Sequence, residues 1–137
     1  MNALLLLAAL AAQAAQALPT PGTAGGLELV FTDEDGEMRI DPASIRRDGD
    51  VARVDTITMI STPRPDGIIA AVARIAIDCP RQTFFFELLA TYTAAGLSAE
   101  RSFAFDAREM EPFGQHRALD IIAERVCPPA AAAPAQE

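Results

Sequence analysis

Between residues 27 and 105 the chain repeats one pattern, short runs in which apolar and polar residues alternate, separated by turn residues. Alternation places successive side chains on opposite faces of a β-strand, so one face of each run is suited to burial. Gly36, Gly49 and Gly96 follow acidic or small residues between runs, where hairpins turn. The predicted strands cover 27–32, 37–41 with a continuation from 45, 51–61, 68–79, 83–93 and 97–105.

The period of the apolar residues changes near the C-terminus. Leu119, Ile122 and Val126 recur at the spacing of one helical face, and Pro128 ends the helix that begins near Gln115. Strands followed by a helix indicate the α+β class. We therefore predict an antiparallel β-sheet of about six strands with one C-terminal helix packed on it.

The first 17 residues carry no charge, and 14 of them are apolar. Their apolar run precedes Ala15-Gln16-Ala17, which is typical of a signal peptidase site, so cleavage after Ala17 is predicted. The alternative is an uncleaved membrane anchor, but the run is short for a bilayer span. No Cys lies near the cleavage site to carry a lipid. We expect a periplasmic or secreted protein without stable membrane insertion after cleavage.

The rest of the chain divides into three parts. Residues 18–26 are rich in Gly, Pro and Thr, which is typical of a flexible lead-in. Residues 27–127 hold the predicted strands and helix and form one domain. Residues 128–137 are Pro and Ala with little else, so they cannot bury enough surface to order and are expected to form a disordered tail.

The chain contains two cysteines. Cys79 ends the predicted buried face of a strand, and Cys127 ends the buried stripe of the helix. If the helix covers that face, the two thiols come within bonding range, and an oxidising compartment favours a disulfide. Two free buried thiols are one alternative. A redox pair is another, although the chain has no C-x-x-C spacing.

Charge and composition exclude several classes of protein. The net charge is −8, which repels phosphate backbones, so no nucleic-acid partner is expected. All 11 basic residues are Arg, and without Lys there is neither a Walker A loop nor Schiff-base chemistry. A structural zinc site needs about four ligands, but the chain has two Cys and one His.

The remaining residues contain few candidates for catalysis or metal binding. His116 is the only His and lies at the predicted helix start, with no G-x-S-x-G elbow in the chain. The acidic turn 33–37 cannot be an EF-hand, because its ligand positions fall on Phe31 and Pro42. We predict no enzyme, no cofactor and no metal. A loose, weak cation site at this turn is the alternative.

The stretch from Met38 to Gly49 resembles the D-x-x-S-I-x-x-x-G signature of the surface-adhesin protein E-like family, with Asp41, Ser44 and Gly49 in place. Residues 77–81, Ile-Asp-Cys-Pro-Arg, resemble the family's mid-chain motif. The resemblance implies a small exported sheet with a C-terminal helix, tied by the cysteine pair, and a role in adhesion. The side chains of Asp41 and Ser44 suit turn capping better than catalysis.

These observations favour a non-enzymatic exported domain that binds an envelope or host protein. A small periplasmic hydrolase with a carboxylate site is one alternative, and a concave pocket holding two acids with raised pKa values would distinguish it. A homo-oligomeric envelope module is another, so a homodimer stays open. The chain lacks the Trp residues usual in the family's early strands, and without a lipid anchor it would remain in the periplasm.

Overall fold

A computed structural model describes residues 26–129 as an antiparallel meander with a helix at its C-terminal end. Neighbouring strands in the chain are also neighbours in the sheet, in the order β1 to β6, which confirms the predicted class and architecture. The elements are β1 Glu28–Asp33, β2 Gly36–Asp48, β3 Val51–Ile60, β4 Ile68–Asp78, β5 Thr83–Thr93, β6 Gly96–Ser102, the two-residue β7 Glu111–Pro112, and α1 Arg117–Val126.

The helix α1 lies on one face of the sheet and buries its apolar stripe there. Ile122 and Val126 are fully buried, and they share a core with Ile40, Val54 and Ile77 of the central strands. This is the stripe that the helical spacing predicted. It also fixes which face of each strand is covered, because helix and sheet must bury their apolar sides against each other.

Two arginines hold the C-terminal end of α1. Arg47 on β2 donates from Nε to the carbonyl of Val126 at 2.9 Å, and Arg125 pairs with Glu28 on β1 at 2.9 Å. A cation beside the last carbonyls satisfies groups that have no partner within the helix and complements its dipole. The edge strand β1 is thereby joined to the helix.

Cys79 and Cys127 form a disulfide, with their Cα atoms 5.8 Å apart. Cys79 follows β4 directly and Cys127 follows α1 directly, so the bond joins the C-terminal ends of the two elements. The predicted pairing is confirmed.

One extra residue in β5 changes which of its side chains face the helix. Arg74 pairs with Leu88 and Ile75 with Phe86, so Glu87 is left as a bulge. Phe86 therefore lies with the core under α1, whereas Leu88 packs on the opposite face. Simple alternation along 83–93 predicted one shared face and is wrong beyond Phe86, because a one-residue shift reverses every later side chain.

The strand after Gly96 is shorter than predicted. Its pairing with β5 ends at Ser102, and only the amide of Phe103 continues it, donating to the carbonyl of Glu87 at 2.9 Å. The chain then leaves the sheet, makes a 3-10 turn at Ala107–Glu109 and returns as β7 beside Thr83 and Phe84. The apolar residues 103 and 105 belong to this excursion, not to a strand.

The face of the sheet away from α1 carries a buried ion pair. Asp55 is 2% exposed, and Arg74 on the neighbouring strand binds its two carboxylate oxygens at 2.8 and 3.1 Å. A smaller apolar cluster of Ile57, Val72 and Ala90 lies on the same face. The central strands are therefore buried on both faces, although the sequence indicated only one.

The predictions for residues 1–17, and for most of 18–26 and 128–137, lie outside the described residues. Within 26–129, no helix has the length and apolar character needed to cross a membrane.

Candidate functional site

A row of three adjoining cavities crosses the helix-side face of the sheet, next to the N-terminal end of α1. Each cavity shares lining residues with the next one. The helix has 10 residues and packs mainly against one end of the strands, so the other end stays open. We call this feature the trough and its parts the middle, the β1–β2 end and the β6–β7 end.

The middle of the trough is a cavity of about 270 Å³ between the sheet and the start of α1. Ala71, Ala73 and Leu89 form its floor on β4 and β5, and Ala118 and Leu119 form its wall on α1. The small side chains on β4 leave the space, since alanine fills little volume above the strand. The cavity is mostly apolar and suits an apolar side chain.

The β1–β2 end is a cavity of about 440 Å³ that shares Met38, Thr58 and Ala118 with the middle. The acidic turn closes this end: the carboxylate of Asp33 accepts hydrogen bonds from the amides of Asp35 and Gly36 at 2.9 and 3.1 Å. Such bonds preorganise the turn, as an Asp side chain does in an Asx turn. This turn, the alternative weak cation site of the sequence, lines one wall of the trough.

The β6–β7 end is the largest part, at about 800 Å³, and shares Phe84, Phe86 and Leu89 with the middle. It opens where β6 and β7 pair with different parts of β5, Leu88–Thr93 and Thr83–Phe84. The excursion between β6 and β7 forms the outer wall. Its lining residues on that side are Ser102, Phe103, Ala104, Glu109 and Glu111.

Aromatic contacts stiffen this end of the trough. The rings of Phe84 and Phe86 meet edge to face at 5.3 Å between centroids, and His116 meets Phe84 at 6.3 Å. On the opposite face Phe85 meets Phe105 at 5.6 Å, with the guanidinium of Arg53 5.1 Å from the Phe105 ring. These contacts hold the Phe84–Phe86 run in one arrangement.

The trough is acidic at both ends. Its lining includes Asp33, Asp35 and Glu37 at one end and Glu109 and Glu111 at the other. Among these lining residues the one arginine is Arg64, which is already paired with Asp66 at 2.8 Å. Glu37 is paired with Arg39 at 3.0 Å. The negative charge around the apolar middle therefore comes from Asp33 and Asp35 at one end and from Glu109 and Glu111 at the other.

Among residues 26–129, the carboxyl groups with a displaced pKa are Asp66 and Asp106, and the pKa of each is lowered. The hydrogen bond from Arg64 lowers the pKa of Asp66, and the hydrogen bond from Arg108 lowers that of Asp106. Both groups are held in the charged form, which accepts protons poorly near neutral pH. Within 26–129, no three His, Cys, Asp or Glu side chains are grouped to hold a metal ion.

The family-motif residues and the two cysteines singled out in the sequence lie away from the trough, whereas the acidic turn and His116 line it. The Cys79–Cys127 disulfide lies beyond the other end of α1. Asp41 and Ser44 lie at an irregularity in β2, which runs on to Asp48 without the break predicted there, and Gly49 follows with φ +60°. Sequence reasoning missed the trough, although the Phe84–Phe86 run and the acidic turn were its visible signals.

Comparisons with known proteins identify relatives of this domain. A protein-family model described as surface-adhesin protein E matches residues 27–128. A crystal structure of Haemophilus influenzae protein E, in crystal form II, superposes with a TM-score of 0.53 at 15% sequence identity, covering 81% of this chain and 93% of that chain. At this identity the likeness is one of fold. A search of curated protein sequences found no match.

Proposed function

This chain belongs to the surface-adhesin protein E family, and from that membership we propose that it is an exported, non-enzymatic domain that acts by binding another protein. The partner is an envelope or host protein, and the binding surface is the trough. The trough carries this assignment because it is the feature of the described domain that offers an apolar recess with a polar rim. That combination characterises protein recognition sites.

The residues of the trough suit binding. Four large apolar side chains line the middle cavity: Phe84, Phe86, Met38 and Leu89. Leu89 is 37% exposed. Aromatic residues and Met are enriched where proteins meet, and aromatic side chains bury much surface while few torsions have to be fixed. A partner side chain in the middle cavity would be desolvated on several sides, as at an energetic hot spot.

The carboxylate-hydrolase alternative has less support. A general acid at neutral pH needs a carboxyl pKa that is raised, usually by burial. The displaced pKa values of Asp66 and Asp106 are lowered, and the cavities beside α1 are lined mainly by apolar side chains. These features favour contact with a partner over acid–base chemistry.

Export to an oxidising compartment fits the same proposal. The disulfide between Cys79 and Cys127 is the kind of bond that persists outside the cytosol. The uncharged apolar segment 1–17, with its Ala15-Gln16-Ala17 site, supplies the expected route. The mass of the protein recovered from cells tests this: cleavage after Ala17 is expected, and retention of the segment would contradict it.

A pull-down with a blocked trough tests the binding surface. Ala71→Trp places an indole in the middle cavity, and Ala43→Trp places the same side chain at an exposed position on β2, outside the trough. The immobilised parent protein and the two variants are incubated with envelope and host-protein fractions. Proteins that bind are then cross-linked to the bait. Proteins captured by the parent are purified and their affinity for each variant is measured.

The expected result is a partner that binds the parent and Ala43→Trp equally and Ala71→Trp at least ten-fold more weakly. Equal thermal melting of the three proteins shows that the fold is intact. Capture that survives Ala71→Trp would place the binding surface elsewhere, and the absence of any captured protein above background would argue against the function itself.

A further inference from the structure

We infer that the segment bound in the trough is cationic at both ends and apolar between them: a stretch of polypeptide with Arg or Lys flanking a few large apolar residues. The inference rests on the proposed function and names the chemistry of the partner. Its basis is the order of charges along the trough, acidic at the β1–β2 end, apolar in the middle and acidic again at the β6–β7 end.

The acidic groups at the two ends are available to a partner. Asp35, Glu109 and Glu111 are exposed, and they line the trough at its opposite ends. Three arginines near the ends are already paired: Arg64 with Asp66, Arg108 with Asp106 at 3.0 Å and Arg39 with Glu37 at 3.0 Å. The guanidinium of Arg101 lies over the ring of Phe103, 5.4 Å from its centroid. A bound anion would meet repulsion at both ends, whereas a cation would find carboxylates without displacing an existing pair.

The sequence on either side of the described domain does not supply the complementary charge. Residues 1–25 contain no charged side chain, and residues 130–137 contain only Glu137, which is negative. A second copy would bring another body of net charge −8 against an acidic trough. A separate basic partner is therefore the occupant that the charges favour.

The dimensions of the trough limit the length of the bound segment. It crosses the sheet from Met38 on β2 to Phe103 just after β6, which is four inter-strand steps. At about 4.8 Å a step this is roughly 19 Å. About six residues of extended chain span that distance, as do about 13 residues of helix. The basic groups of the partner should be separated by one of these spacings.

Synthetic peptides test the charge pattern. The probe is a fluorescently labelled peptide with two Arg at each end around four Leu or Phe residues, and its matched controls carry Gln or Glu in place of Arg. Binding is measured by fluorescence anisotropy at two salt concentrations. We expect the Arg peptide to bind most tightly, with affinity that falls as salt rises, because screening weakens contacts between exposed charges.

Charge-neutral variants locate the effect. The test variant combines Asp35→Asn with Glu111→Gln, which removes one carboxylate from each end of the trough. The control variant combines Asp48→Asn with Asp50→Asn, which removes the same amount of charge at exposed positions outside the trough. The first pair should weaken binding of the Arg peptide about four- to twenty-fold, as two surface ion pairs at the upper part of their usual range would. The second pair should change it less than two-fold.

The two proposals fail in different ways. If the Gln or Glu peptide binds as tightly as the Arg peptide, or if both double variants have the same effect, the inference is wrong, while loss of the captured partner in Ala71→Trp would still support the trough. If the captured partner binds Ala71→Trp normally, the proposed surface is wrong whatever the peptides do.

Discussion

The hydroxyl of Ser44 accepts a hydrogen bond from the buried backbone amide of Asp55 at 2.8 Å and donates one to the carbonyl of Asp41 at 2.6 Å. The register between β2 and β3 is irregular between Asp41 and Arg46, so the ordinary ladder partners are missing there. The Ser44 side chain takes the place of a backbone partner. This arrangement supports a structural role for the Asp41 and Ser44 motif.

Replacing Ser44 with Ala should destabilise the fold by about 1–3 kcal/mol, because the amide of Asp55 would be buried without a partner. Ser61→Ala is the matched control, since Ser61 is exposed just beyond β3. Urea unfolding of the disulfide-bonded proteins measures the difference. A loss below about 0.5 kcal/mol for Ser44→Ala would mean that water replaces the hydroxyl.

Arg74→Leu should cost about 3–5 kcal/mol of unfolding free energy, because it leaves the carboxylate of Asp55 buried without its guanidinium. Arg64→Leu, at the exposed pair with Asp66, should cost less than about 1 kcal/mol. Replacing both Asp55 and Arg74 with Leu should recover part of the loss, since no uncompensated charge remains. A double variant less stable than Arg74→Leu would contradict this account.

The Cys79–Cys127 bond closes a loop with a sequence separation of 48 residues. In the chain-entropy account, a loop of this size contributes about 4 kcal/mol by restricting the unfolded chain. Cys79→Ala combined with Cys127→Ala should therefore lower the unfolding free energy by about 2–5 kcal/mol. A reducing agent should lower the melting temperature of the parent protein and leave that of the double variant unchanged, and an equal response of both would refute the prediction.

The carboxyl of Asp66 should titrate below its ordinary pKa of 3.8, because Arg64 hydrogen-bonds its charged form. Since the folded-state value lies below the unfolded one, the pair stabilises the fold above that ordinary pKa, and the contribution is lost as pH falls through the lowered value. NMR titration of the carboxyl carbon measures the shift. Arg64→Gln should raise the pKa of Asp66 and leave Asp106 unchanged, and Arg108→Gln should do the reverse.

Much of the fold was predictable because its signals are local. Alternation between 68 and 79 reports which side chains can face a core, and the helical spacing of Leu119, Ile122 and Val126 reports the same for α1. Each signal needs only the geometry of one element. The predicted side-chain direction was wrong where β5 contains one extra residue, at Glu87. A bulge depends on pairing with β4, so the alternation within β5 does not reveal it.

The binding surface was much less predictable. Asp33 and Asp35 were visible as an acidic turn and Phe84 as part of an aromatic run, but they are about 50 residues apart in the chain. Their position on one trough depends on the order of the strands and on how far α1 reaches over the sheet. Neither the strand order nor the reach of α1 over the sheet can be seen in the spacing of apolar residues along the chain.

The class of fold, the helix-facing side of β4 and the apolar stripe of α1 could be predicted from the sequence, and a disulfide between Cys79 and Cys127 was the favoured pairing if the helix covers that side. These follow from side-chain direction, which the backbone geometry of a strand or helix sets within a few residues. The trough, the ion pair of Asp55 with Arg74 and the hydrogen bond from Asp55 to Ser44 depend on how the elements pack together. Each of these joins separate elements, so it exists only after the strands have found their register and the helix its place on the sheet.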